Sequence, residues 1–187
     1  MWHIISKLIF KLFGWKVKGE LPEGIDKAVM IAAPHTSNWD FFWARAAFFI
    51  LKVPVRYTVK KELLKFPLNI ILNPMGAIGI DRSKKDASGN RKSMTAVMID
   101  LFKQREKLIV LVTPEGTRSY NPDWKTGFYR VAEGANVPII CGYLDYKEKI
   151  AGIGKMIYPD GNIDQQIEEL KDFYRPLNGK FPENGVR

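Results

Sequence analysis

Two side chains in the run Pro34-His35-Thr36-Ser37-Asn38-Trp39-Asp40 have the types and spacing of a proton-transfer pair. A histidine titrates near neutral pH and can take a proton from a hydroxyl. A carboxylate beside it fixes the ring tautomer and stabilises the imidazolium that forms. His35 and Asp40 stand in a His-x4-Asp arrangement that ends an apolar, strand-like segment and opens an aromatic-rich helical one. The other histidine, His3, lies in an amphipathic N-terminal stretch with no acidic residue before Glu20, so His35 is the candidate for imidazole chemistry. Read alone, the same spacing also fits a plain helix start, with Asp40 as the cap of Phe41 to Leu51.

Two further stretches place an arginine at a strand exit. One is Gly76-Ala77-Ile78-Gly79-Ile80-Asp81-Arg82; the other is Pro114-Glu115-Gly116-Thr117-Arg118-Ser119, after the apolar Leu108 to Val112. Arg82 and Arg118 can each present a planar fork of donors to phosphate oxygens, a geometry that lysine lacks. Gly116 lets backbone approach a ligand closely. Taken singly, each stretch reads equally as a surface turn. Val137-Pro138-Ile139-Ile140 opens another apolar strand, and Lys125, in Trp124-Lys125-Thr126-Gly127, reads as a solvated loop lysine that could add charge near a phosphate.

In this order the four blocks resemble those of the glycerolipid acyltransferase family, which acylates glycerol phosphate or lysophosphatidic acid, over about Val29 to Tyr143. The resemblance implies an O-acyltransferase in which His35 deprotonates the acceptor hydroxyl for direct attack on an acyl thioester, with Asp40 holding the imidazole and no acyl-enzyme formed. It makes Gly76, Arg82, Glu115, Gly116, Thr117 and Arg118 acceptor-binding positions and gives Pro138 a part in shaping the site. The donor would be acyl-CoA or acyl carrier protein, used as a co-substrate with no bound cofactor, and the acceptor a lysophosphatidic acid-like lipid. Thr113 stands where the family more often has an aromatic, and Gly79 where a bulky residue is common, which puts the shape of the acceptor pocket in question. A non-catalytic lipid or phosphate binder of the same fold is the alternative; an intact His35-Asp40 pair argues against it.

The elements that must position these residues alternate. Ala28 to Ala33, Val53 to Val59, Leu108 to Thr113, Pro138 to Leu144 and Ile150 to Tyr158 read as strands. Asp40 to Leu51, the stripe Met94, Val97, Met98, Leu101 and Phe102, the segment Gly127 to Ala135, and Ile163 to Phe173 read as helices. Pro67 leaves Lys61 to Leu72 helical but irregular, and the tail from Pro176 reads as a loop. This predicts a single α/β domain over residues 1–187 with a mostly parallel sheet flanked by helices, its motif-bearing core at 28–144 and its sites at the carboxyl ends of strands. Ahead of it, residues 1–14 form an amphipathic helix with Ile4, Ile5, Leu8, Ile9, Leu12 and Phe13 on one face and Ser6, Lys7 and Lys11 on another. That apolar face fits either a membrane surface or packing on the domain. Nearby Trp2, Trp15, Lys16 and Lys18 suit a headgroup region.

Composition narrows the partners. A formal net charge of +9 calls for something anionic. The chain has neither zinc-finger spacing nor an RNA-binding aromatic signature, so nucleic acid is not expected, and an anionic membrane surface and phosphate-bearing substrates remain. Cys141, the single cysteine, cannot make an internal disulfide. His and Cys do not cluster at ligand spacing, so no metal is expected, and the absence of Gly-x-Ser-x-Gly disfavours a serine hydrolase. The apolar tracts are too short to span a bilayer, and residues 2–13 lack a cleavage site. The expectation is a cytoplasmic protein peripherally associated with the membrane.

Overall fold

The computed structural model describes residues 2–81, 83 and 91–187. In chain order its elements are α1 (Trp2–Phe13), β1 (Lys16–Lys18), β2 (Lys27–Ala33), α2 (Trp39–Leu51), β3 (Val55–Lys60), α3 (Asn69–Leu72) and β4 (Ala77–Ile80). There follow α4 (Met94–Lys103), β5 (Leu108–Val112), α5 (Gly127–Ala135), β6 (Ile139–Asp145), β7 (Ile150–Ile157) and α6 (Ile163–Tyr174). Among the described residues seven strands form one sheet in the order β1-β7-β6-β2-β5-β3-β4. Every pairing is parallel except β6 with β7. The α/β architecture with a mostly parallel central sheet is the one the sequence predicts.

β2 and β5 lie side by side in the interior of the sheet, and their sequences explain the position. Lys-Ala-Val-Met-Ile-Ala-Ala and Leu-Ile-Val-Leu-Val are apolar beyond the first residue of β2 because side chains on both faces are covered. On one face Val29, Ile31, Ile78, Ile80 and Val110 meet α4, α5 and α6 through Phe102, Tyr129, Leu170 and Tyr174. Their alternates Ala28, Met30, Ile109 and Ile140 meet Phe48 of α2. α1 packs beside α2, with Phe10 set against Trp15 and Trp43.

The structure adds detail to the sequence reading at several points. β1 is a three-residue edge strand with exposed lysines at both ends, too short and polar to show a period. β4 is four residues cut by Gly79, whose absent side chain makes room for Leu64 and Lys61. Lys61 to Leu72 resolves into a 3₁₀ turn, Lys61–Leu64, and the single turn α3 on either side of Pro67. The tail adds a 3₁₀ turn, Pro182–Asn184. In α1 the inward residues are Ser6, placed above on the polar face, and Phe10. Ile4, Ile5, Leu8, Leu12 and Phe13 are left uncovered on the outside, so most of the helix's apolar residues do not pack on the domain. No helix among the described residues is long and apolar enough to cross a membrane.

Candidate active site

β2 ends at Ala33, and the chain turns through Pro34 to His35 before α2 begins, at the carboxyl edge of the parallel strands. Asp40, in the first turn of α2, closes this loop. Its Oδ2 accepts from the backbone N–H groups of Thr36 and Ser37, each at 2.9 Å, and from His35 Nδ1 at 3.0 Å. Oδ1 accepts from the Tyr146 hydroxyl at 2.7 Å. Asp40 therefore does not cap α2 as the plain reading had it: the cap position is Asn38, with no side-chain capping bond, and the Asp40 carboxylate gathers the loop before the helix. Burial alone would push its carboxyl up, but the hydrogen bonds from His35, Tyr146 and Ser37 outweigh that and hold it below the ordinary value. An ionised carboxylate only accepts, so Nδ1 of a neutral His35 carries the hydrogen and Nε2 carries the lone pair. The imidazole is one-fifth exposed and the carboxylate nearly buried, at 22% and 8% of their side-chain surfaces.

Glu115 stands behind the pair. Its Oε2 accepts from the His35 backbone N–H at 2.8 Å, tying the end of β5 to the end of β2. Burial pushes its carboxyl up to about 7, against the lowering effect of that hydrogen bond and of the nearby imidazole, while the Asp40 charge adds to the rise. The Glu115 carboxylate thus positions His35, whereas the family resemblance implies an acceptor-binding role.

His35 and Asp40 open onto a cavity of about 890 Å³ that also carries Gly116, Arg118 and Lys125 in its wall. Its apolar side runs under α2 past Phe41, Ala44, Ala47, Phe48 and Leu51, with Tyr57 and Leu111 opposite. Gly116 has φ +67°, and a Cβ there would stand 2.6 Å from Lys125 Cε, so the glycine is what lets the lysine lie along the loop. Lys125, read from sequence as a solvated loop residue, is a cation of the site.

Pro138, Gly76 and Thr117, also expected at the site, are not in the cavity wall. Pro138 precedes β6 at the amino edge of the sheet, where its carbonyl accepts from Val29 N–H at 3.0 Å. That edge lies opposite the one carrying His35, so Pro138 supports the sheet and does not line the cavity. Gly76 enters β4 at φ +91°, with no room for a Cβ between the Val55 carbonyl and the Arg45 guanidinium; it too is a turn residue away from the cavity. Thr117 is exposed, and its hydroxyl accepts from Ser119 N–H. Arg82 lies outside the described residues.

Sequence reasoning missed Tyr146 and the tail. Tyr146 follows β6, and its backbone N–H donates to the Asn178 carbonyl at 2.8 Å. Phe181 N–H donates to Thr36 Oγ1 at 3.3 Å, and Gly179 lies so close to Thr36 that a Cβ would meet its side chain at 2.7 Å. The tail thereby buttresses the loop that carries His35. The close fit at Gly179 had no sequence signal; a tyrosine at the carboxyl end of β6, the edge that holds His35, was the available one for Tyr146.

Among the described residues no group of three or more His, Cys, Asp or Glu side chains could hold a metal ion. Comparison with known proteins adds the family. None of the curated proteins matches the chain. The fold is similar to the crystal structure of the 1-acyl-sn-glycerophosphate (LPA) acyltransferase PlsC from Thermotoga maritima, with a TM-score of 0.59 and 17% sequence identity over 90% of this chain and 74% of that one. The family model described as Acyltransferase matches residues 16–144, a span that holds His35, Asp40, Glu115 and Arg118, and the chain belongs to the acyltransferase family.

Proposed function

We propose that the protein transfers a fatty acyl group from an acyl thioester, acyl-CoA or acyl carrier protein, to the hydroxyl of a lysophosphatidic acid-like lipid at an anionic membrane surface. The observation that carries this reading is the His35-Asp40 pair opening onto a cavity that is cationic in one part and apolar in another. His35 Nε2 takes the hydroxyl proton. The resulting oxygen attacks the thioester carbonyl carbon, the carbon–sulfur bond breaks, and the thiolate leaves with the proton from the imidazolium, so no acyl-enzyme is needed.

Arg118 and Lys125 hold the acceptor phosphate, and Arg82, after β4, supplies a second guanidinium. The apolar part of the cavity receives the donor chain. From Asp40 to Leu51 its lining follows α2 for about 16 Å at 1.5 Å per residue. The donor brings its own leaving group, and no resident cofactor takes part. The protein works from the cytoplasm, held at the membrane by the uncovered face of α1 and by its lysines, each contributing about 1 kcal/mol beside anionic lipid.

The test is product analysis of wild type and His35→Ala with mixed acyl thioesters and several lysolipids. Wild type should release phosphatidic acid-like product, and His35→Ala should lose about 10²–10⁴-fold in rate while still binding acceptor. Equal behaviour of the two would mean a binding protein that does no chemistry.

A further inference from the structure

The segment between β3 and β4 exposes large apolar side chains that no part of the described chain covers. Leu63, Phe66, Leu68, Ile70 and Ile71 are 44%, 79%, 47%, 63% and 60% exposed. Scattered single exposures are ordinary in soluble domains, but so many within nine residues mark a contact surface. The segment is not loosely attached. Leu64 faces inward, its Cδ1 3.0 Å from where a Cβ of Gly79 would stand, and Asn69 N–H donates to the Lys65 carbonyl.

Its side of the sheet is fixed by β4. Ile78 and Ile80 point into the core under α4 to α6, so Gly79, and with it the 3₁₀ turn, belongs to the α2 side. α1 packs on that same side, beside α2. The first turn of α2, next to His35, exposes Trp39, Phe41 and Phe42. Most of the exposed large apolar residues among those described thus belong to α1, the first turn of α2 and this segment; Met94, Tyr120, Tyr158 and Phe181 are the others.

Charge identifies what covers the segment. Lys52, Arg56, Lys60, Lys61 and Lys65 are exposed within it or immediately before it, and Glu62 is the one acid from residue 52 to 73. Apolar side chains ringed by lysine and arginine complement a bilayer of anionic phospholipid, with hydrocarbon under the headgroups and phosphates at the rim.

We propose that residues 60–73 are a second membrane-docking element, across α2 from α1, so that attachment at both flanks presses the exposed first turn of α2 and the adjoining cavity mouth onto the lipid surface. This rests on the reading that the acceptor is a lipid taken from the membrane.

The experiment compares wild type with Phe66→Ser/Ile70→Ser/Ile71→Ser and with Lys60→Gln/Lys61→Gln/Lys65→Gln. Each is co-sedimented with phosphatidylcholine vesicles with and without phosphatidylglycerol. Acyl transfer is assayed to a short-chain, water-dispersed lysophosphatidate and to a vesicle-embedded one, and sedimentation equilibrium is run without lipid. The serine variant should lose about tenfold or more in affinity for phosphatidylglycerol vesicles. It should lose transfer to the embedded acceptor in step and keep transfer to the dispersed one. The glutamine variant should lose affinity only where phosphatidylglycerol is present. Unchanged vesicle affinity in both variants overturns the proposal. So does a wild-type dimer that the serine variant abolishes while vesicle binding persists, since the patch would then be an interface between copies of this chain. Vesicle binding that depends on the segment in a protein showing no transfer to either acceptor would sink the functional reading and leave the docking element standing.

Discussion

Asp40 accepts from two backbone N–H groups, an imidazole and a phenol, so the orientation of His35 is set through one carboxylate. Burial and the Asp40 charge push the Tyr146 phenol up, which leaves it protonated and able only to donate. Tyr146→Phe removes one hydrogen bond to a charged group, worth roughly 1.5–3 kcal/mol. It should cost about tenfold in turnover, less than His35→Ala, with the acceptor KM unchanged; turnover equal to wild type would make Tyr146 a packing residue. Glu115 gives a stability signature instead. Its carboxyl shifts from 4.5 to about 7 on folding, so between those values the unfolded chain has released a proton that the folded chain keeps. Stability should therefore fall as pH rises through that window, by on the order of 3 kcal/mol, and level off above it. Glu115→Gln keeps an acceptor for the His35 N–H, and urea melts across the window should show its midpoint no longer falling. At this scale the hydrogen-bonded pairing of His35 with Asp40 was legible from type and spacing. The inward turn of Glu115 and the approach of Tyr146 were not, because both depend on how the ends of β2, β5 and β6 meet.

On the proposed reading α2 joins chemistry to specificity: Asp40 is in its first turn and Leu51 is its last residue, and Ala44, Ala47 and Phe48 line the cavity between them. Ala47→Leu adds volume about two turns below the carboxylate. It should shift donor preference toward shorter acyl chains while leaving the rate on the shortest donor close to wild type, at an overpacking cost of about 1–3 kcal/mol. A competition assay with thioesters of graded length reads this directly, and an unchanged profile would place the donor chain elsewhere. The near-continuous apolarity of α2 reads equally as core or lipid contact; Phe48 is in the core, and Phe42 is exposed. Interior strands were plain in the sequence because burial on both faces leaves unbroken apolar runs. β1 was not, being three residues long and held by pairing with its neighbour, and β4 showed only as the strand whose exit carries Arg82. Pro138 was misplaced although the signal was present: a proline that opens a strand of a parallel sheet sits at the amino edge, opposite the carboxyl ends that carry His35.

Across the whole molecule the two sides of the sheet differ in character. α6 carries ion pairs on its outer surface, Lys155 with Glu169 and Arg175 with Glu168 and Asp172, as suits a face turned to water. The α2 side carries the uncovered apolar residues of α1, α2 and 60–73 among exposed lysines. No count of residue types distinguishes the two sides; the division arises only when alternate residues of each strand are assigned to opposite layers. The indoles share it. Trp2, Trp15, Trp39 and Trp43 belong to the α1–α2 layer, while Trp124 is buried against Tyr174 in the other. Trp2 and Trp39, each about half exposed, stand at the two ends of that layer. The chain thus contains its own optical reporter: a blue shift in emission would register contact of these two rings with hydrocarbon, and the buried Trp15, Trp43 and Trp124 would supply a constant background.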